Sequence, residues 1–317
     1  MRVYGSDAIR NVAFVGHGGS GKTTLVDALA FVSGSSRRHG SIKDGTTLTD
    51  YTPDEIARQH SISLGLAYAE WMDTKLNLLD TPGYLDFFGE VVTGLHAADA
   101  AVVVVSGVSG VEVGTEKAWE VCDRLHLPRL IFVGQMDKEH ANFERVFADV
   151  KAHLSPKVLP VEVPIGEGST FRGIVNLFSG KSHIYKPGTK SGEYDEVEVP
   201  AEHQAEVKKY SDLLIETVAA TDDALIERYL GGEEIPREEV IAALKTAVVA
   251  GSIVPLFVGS ATLTFGMRAL LTKMVEIFPA AADVPPPVGA PLLGRVFKTT
   301  SEPHVGDVTL FRLYRGT

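Results

Sequence analysis

Apolar positions in the first half of the chain keep two alternating rhythms. "NVAFVG" is a short unbroken apolar run, the pattern of a strand buried on both faces. Glycines follow, and "KTTLVDALAFV" then puts Leu25 and Leu29 on one face of a helix. "SISLGLAYAEW" alternates at Ile62, Leu64, Leu66 and Tyr68, and "KLNLLD" at Leu76 and Leu78. Together they predict two strands joined as a hairpin through "MDTK". "AAVVVVSG" is uniformly apolar, a helix is expected from about Thr115, and "LIFVG" is the next strand. Strands alternating with helices predict an α/β fold. Its sheet should be mostly parallel, with right-handed crossovers and helices on both faces.

The rhythm breaks near Pro156. "FRGIVNLFSGKSHIYKPGTKSGEYDEVEVP" has the turns and short runs of small strands, and two amphipathic helical stretches follow it. The first rhythm returns with "IVPLFVGSA" and "MRALLTKMVEIFP". The expected division is therefore an α/β domain over 1–155 and 251–282, with an α+β subdomain, 156–250, inserted into it. "PAAADVPPPVGAPL" is a Pro-rich linker, and two strands around a turn complete 283–317. A two-stranded piece is marginal by itself, which points to a chain that continues beyond Thr317 in a longer protein.

Composition narrows the class. A 44% apolar share in 317 residues suits a globular protein of two domains and part of a third. No apolar run spans a bilayer, and the N-terminus has no signal-peptide pattern, so no membrane role and a cytoplasmic location are expected. Cys122 is the only cysteine, which excludes an intrachain disulfide and a cysteine-based zinc site. Its spacing with Ala118, Val121 and Leu125 reads as a buried helix face. The net charge of −11 argues against a basic nucleic-acid-binding domain, though not against a local RNA contact. A monomer is expected.

The strongest chemical signal is "GHGGSGKT", Gly16, His17, Gly18, Gly19, Ser20, Gly21, Lys22 and Thr23, followed by Thr24. It fits G-x-x-x-x-G-K-[ST] and stands between a strand and a helix, as a phosphate loop (P-loop) must. Backbone N–H groups and the helix N-terminus supply a positive field for a polyphosphate. Lys22 is placed for the β- and γ-phosphates and Thr23 for Mg²⁺. Asp80 ends a strand and can hold the same metal through water, while Gly83 in Asp80-Thr81-Pro82-Gly83 offers its N–H to the γ-phosphate. Gly134-Gln135-Met136-Asp137 ends a later strand. One carboxylate accepts guanine N1–H and N2–H together, so Asp137 favours guanine, and adenine would leave it mismatched. In "GSA", Gly259 to Ala261, the backbone N–H groups of Ser260 and Ala261 are candidates for guanine O6. GTP or GDP with Mg²⁺ is the ligand expected.

These residues carry a resemblance to the translational GTPases, and among them to elongation factor G. "RNVAFVGHGGSGKTTL", "KDGTTLTDYTPDE", "DTPGYLDF" and "LPRLIFVGQMDKEHANF" are similar to that family's P-loop, switch and base-reading segments. "VPIGEGSTFRGIVNLF" and "DDALIERYLGGEE" look like its G′ insertion, and "FKTTSEPHVGDVTLFRLYRG" like the opening strands of its β-barrel second domain. The resemblance implies a hydrolase that converts GTP to GDP and phosphate in protein biosynthesis on the ribosome. It also implies a stalk-protein contact through G′.

Departures from the pattern qualify the expectation. Gly19 stands where the family has Asp. Ser61 in "RQHSI" aligns with the Thr of R-G-I-T-I and keeps a hydroxyl for Mg²⁺. Gly134-Gln135 replaces Asn-Lys, which should remove an amide bracing the base site and weaken affinity. Tyr84 replaces the catalytic His, and a phenol with a pKa of about 10 is a poor base. Slow hydrolysis by a specialised elongation factor G paralogue is expected. Alternatives are a nucleotide-binding regulatory or scaffold module with negligible catalysis, and a ribosome-protection factor, against which the G′ segment speaks.

Overall fold

The computed structural model describes residues 2–186, 188–189, 191–284, 293–302 and 304–315. Its first part runs β1 (Ile9–Val15), α1 (Lys22–Val32), α2 (Pro53–Arg58), β2 (Gly65–Trp71), β3 (Thr74–Asp80), α3 (Phe88–Ala97), β4 (Ala100–Ser106), α4 (Val113–Arg124), β5 (Arg129–Gly134) and α5 (Phe143–His153). Then come β6 (Val158–Pro160), β7 (Glu162–Ile165), β8 (Gly173–Asn176), β9 (Lys181–Tyr185), β10 (Tyr194–Glu198), α6 (Gln204–Ala219), α7 (Asp223–Leu230) and α8 (Arg237–Val249). β11 (Val254–Val258), α9 (Met267–Ile277), β12 (Leu293–Glu302) and β13 (Gly306–Arg315) complete it.

Seven strands form one sheet in the order β2-β3-β1-β4-β5-β11-β6. All neighbours are parallel except β2 and β3. From β1 the chain crosses to β3 on one side, then returns past β1 to β4 on the other. Right-handed crossovers in opposite directions put α1 and α3 on opposite faces. The crevice at the carboxyl end of β1, where the order reverses, is where such sheets bind ligands. This is the P-loop α/β fold that the sequence predicts.

The expected hairpin between β2 and β3 turns at Met72 and Asp73, whose φ values of 47° and 54° are those of a type I′ turn. The alternating residues are not the buried face of β2. Ile62 and Leu64 precede the strand, and Ala67 and Ala69 form the buried face of β2, which packs against α1. Leu66 is 43% exposed and looks into a cleft shared with Phe297 and Leu310. Leu66 thus belongs to the surface facing β12 and β13.

β6 pairs with β11 at the sheet edge, Val158 opposite Val254, so the large sheet extends beyond residue 155, the limit expected for its first segment. After it, β7–β10 make a separate antiparallel sheet, and α6–α8 follow. β12 and β13 form a two-stranded antiparallel sheet. Most of the expected Pro-rich linker, 285–292, lies outside the described residues. Arg312 ties this hairpin down, donating to Ala97 O at 3.0 Å and pairing with buried Asp99. Cys122 is buried as expected, and burial pushes its thiol up to about 12. Among the described residues, no helix is long and apolar enough to cross a membrane.

Candidate functional site

Every chemical motif of the sequence leaves the sheet at the same edge. The P-loop follows β1, Asp80 ends β3, the 134–137 tetrad follows β5, and Gly259 follows β11. Two adjoining clefts run along this edge. One, of about 210 Å³, is lined by Gly18, Lys22, Thr23, Ser61, Gly83 and Tyr84. The other, of about 180 Å³, is lined by Ser20, Gly134, Asp137 and Ala261. Gly21, Thr24 and Gln135 line both. A larger cleft of about 560 Å³ lies beside Arg37, Arg38 and Leu263 but touches none of the P-loop. Chemistry, not size, selects the site.

The phosphate end is built by close backbone approach. Gly16 has φ 144°, a value glycine adopts freely, and a side chain there would strike the Val104 carbonyl. A Cβ on Gly83 would lie 2.6 Å from Gly18 N, so the second switch closes directly on the loop. Thr81 pins that switch, its hydroxyl donating to Phe14 O at 2.7 Å, and Pro82 is buried beside it. The Lys22 ammonium donates to Gly16 O at 3.0 Å and His17 O at 2.8 Å. Burial lowers its pKa to about 8, against the pull of Asp80 and Asp50.

The candidate metal ligands converge. Thr23 Oγ1 and Ser61 Oγ are 3.0 Å apart and buried. Asp80 accepts from Thr49 Oγ1 at 2.6 Å through one oxygen, and its other oxygen is buried with no protein partner. Burial, reinforced by Asp50, raises its pKa to about 7. Asp50 itself is buried with both oxygens unpartnered, and burial raises its pKa too. Two hydroxyls facing two under-satisfied carboxylates suit Mg²⁺, which keeps waters and shares its sphere with phosphates. Among the described residues, no three His, Cys, Asp or Glu side chains form a metal cage.

The first switch is anchored on α2. Thr52 and Glu55 make a capping box, with Pro53 opening the helix. Buried Glu55 then accepts from Ile62 N at 3.1 Å and Ser63 N at 3.2 Å, which holds Ser61 in place. Asp27 accepts from Gly40 N and Leu48 N and fixes the preceding loop. Thr49, Asp50 and Glu55 are site-forming residues that the motifs did not single out. The capping box in "TPDE" was a legible sign of α2. Nothing local marked Asp50.

The base end brings two corrections. The bracing amide expected to be lost is supplied by Gln135. Its Oε1 accepts from Ser106 Oγ at 2.7 Å, and its Nε2 donates to Gly19 O at 2.9 Å. Ser260 N–H is not free for a base, because it donates to Phe265 O at 3.0 Å in a small bridge. Gly259 N–H is also spent, on Val133 O, and Ala261 is left lining the cleft. Asp137 has a buried, unpartnered Oδ1 at this cleft. Met136 is wholly buried in the core. The His17 side chain turns away to the start of α4, accepting from Gly114 N, and only its carbonyl serves the loop. Tyr84 is 44% exposed, with the hydroxyl end of its ring against Gly18.

Known proteins share this arrangement. A sequence model of the elongation factor Tu GTP-binding domain matches residues 7–280. A solved crystal structure from Thermus thermophilus is similar with a TM-score of 0.89 and 39% identity, over 98% of this chain and 46% of that one. This chain thus spans about half the length of that protein. Match and geometry agree: the chain belongs to the elongation factor Tu GTP-binding domain family, the GTPase domain of translational GTPases.

Proposed function

We propose that this chain is the GTP-binding part of an elongation factor G-like GTPase that acts on the ribosome, a specialised paralogue with slow hydrolysis. The observation that carries the reading is the meeting of Lys22, Thr23, Ser61 and Asp137 in two adjoining clefts, with Asp80 at the end of β3 beside them. Lys22 and the loop amides bind the β- and γ-phosphates. Thr23, Ser61, Asp80 and Asp50 are the residues that would hold Mg²⁺. When bound, the ion would supply positive charge against the phosphates. Asp137 selects guanine, and Gln135 fixes the loop against the base strand. Thr81 and Gly83 link the γ-phosphate to the second switch, so nucleotide state sets switch position. The inserted 156–250 segment supplies the surface for the ribosomal stalk protein.

A regulatory module with negligible hydrolysis is the second reading, and Tyr84 is the observation behind it. The test is GTP hydrolysis by the full-length protein with and without ribosomes, beside Tyr84→His. Strong acceleration of wild type by ribosomes is expected. If wild type is inert with ribosomes and Tyr84→His is active, the chain is a GTP switch that has given up catalysis. If both are inert while GTP binds, the regulatory reading replaces ours.

A further inference from the structure

We infer that His60 is the group that orients the attacking water, with Tyr84 positioning it. This rests on the GTPase reading above and names the residue that performs its chemical step. His60 lines the same cleft as Lys22, Thr23 and Gly83. In the R-G-I-T-I pattern aligned on Arg58–Ile62, the position is an isoleucine, so the histidine belongs to this chain rather than to the pattern.

The local fold aims it. Gln59 closes α2 in the left-handed conformation, φ 56° and ψ 34°, and turns the chain inward. The next two residues then enter the cleft. Ser61 is fixed against Thr23 on one side, and Glu55 holds the amides of Ile62 and Ser63 on the other. His60 therefore sits beside the hydroxyl pair that takes the metal, where the γ-phosphate must lie.

The ring is also oriented. His60 Nδ1 is 3.0 Å from Arg58 O. A carbonyl only accepts, so Nδ1 carries a hydrogen, and in the neutral imidazole Nε2 keeps a lone pair for a donor. The ring packs on Tyr84, with centroids 4.6 Å apart at 55°, and Phe87 lies at 6.4 Å. Tyr84 in turn rests on Gly18. The phenol at the position after Pro82-Gly83 thus acts as a wall for an imidazole delivered from the first switch.

In the proposed step, Nε2 accepts a hydrogen bond from water. The water oxygen bonds to the γ-phosphorus as the bond from phosphorus to the β,γ-bridging oxygen breaks. The bond's electron pair leaves on GDP, and both water hydrogens leave with the phosphate. His60 gains and loses nothing; it orients the nucleophile.

Single-turnover phosphate release from full-length protein with ribosomes tests this, together with affinity for the β,γ-imido GTP analogue. His60→Ala should slow release about 100-fold while analogue affinity stays within about threefold. His60→Gln, whose amide oxygen can accept from water, should recover about tenfold of that loss. Tyr84→Ala should slow release too, and the double variant should be no slower than His60→Ala alone, because the two residues act as one unit. Release by His60→Ala within about threefold of wild type would overturn the inference and leave the GTPase reading intact. A matching loss of analogue affinity would also overturn it, by making His60 merely structural. An inert wild type would overturn both readings.

Discussion

At the scale of single residues, the site is a set of unspent groups around a spent frame. Gln135 is spent: both ends of its amide are bonded, one to Ser106 and one to the P-loop. Gln135→Ala should weaken GTP binding about 5–10-fold, the worth of about one to two hydrogen bonds, measured by calorimetric titration. Asp137 is unspent, with a buried oxygen facing the base cleft. Asp137→Asn should lower GTP affinity and raise that for xanthosine triphosphate, whose C2 carbonyl accepts from the new amide; competition binding reads this directly. The P-loop was legible in the sequence because its physics is local: glycines, a strand before and a helix after. Asp50 was not, because it reaches Asp80 only when the first switch folds over α1. The Ser260 N–H departs from expectation for the same reason, since its acceptor, Phe265 O, is brought to it only by the fold of the loop.

At the scale of elements, two joins decide how the inserted segment sits on the sheet. β6 extends the large sheet, and β7 follows it directly. Neither join was legible, because β6 has only three residues and no period can be read from three. Glu162 opens β7 wholly buried, with one oxygen unpartnered. Burial raises its pKa to about 8, against the opposing influence of the Val258 amide and Lys273. The folded state therefore holds a proton here that the unfolded chain releases at about 4.5. Its contribution to stability is intact at low pH, falls as pH rises from about 4.5, and is lost once pH passes the folded pKa of about 8. Thermal unfolding from pH 6 to 9 should show this fall in wild type and a shallower one in Glu162→Gln. Equal slopes would show that Glu162 does not titrate in that window.

At the scale of the whole molecule, the β12–β13 hairpin is tied to the sheet domain by Lys298 on Leu64 O, Tyr314 on His96 O and Arg312, whose contact with Asp99 is an ion pair. Arg312→Ala would leave Asp99 buried with, among the described residues, only the Asn11 amides as partners of its carboxylate. About 3 kcal/mol of destabilisation is expected by urea unfolding, because breaking one half of a buried pair strands the other. The mostly parallel α/β sheet and the β2–β3 hairpin could be foreseen because strand–helix alternation implies parallel strands with right-handed crossovers, and two alternating runs around a short turn imply a hairpin. How the β12–β13 hairpin docks could not, since Arg312 and Asp99 are far apart in sequence and no local pattern pairs them. The strand ends of this one sheet bring phosphate, metal and base groups to a single edge, and the function proposed rests on that convergence. The most direct test is calorimetric titration of this chain with GTP and with ATP in the presence of Mg²⁺. The account predicts GTP binding at least about 100-fold tighter than ATP, from the mismatch of adenine against Asp137. Equal affinities for the two nucleotides would contradict it.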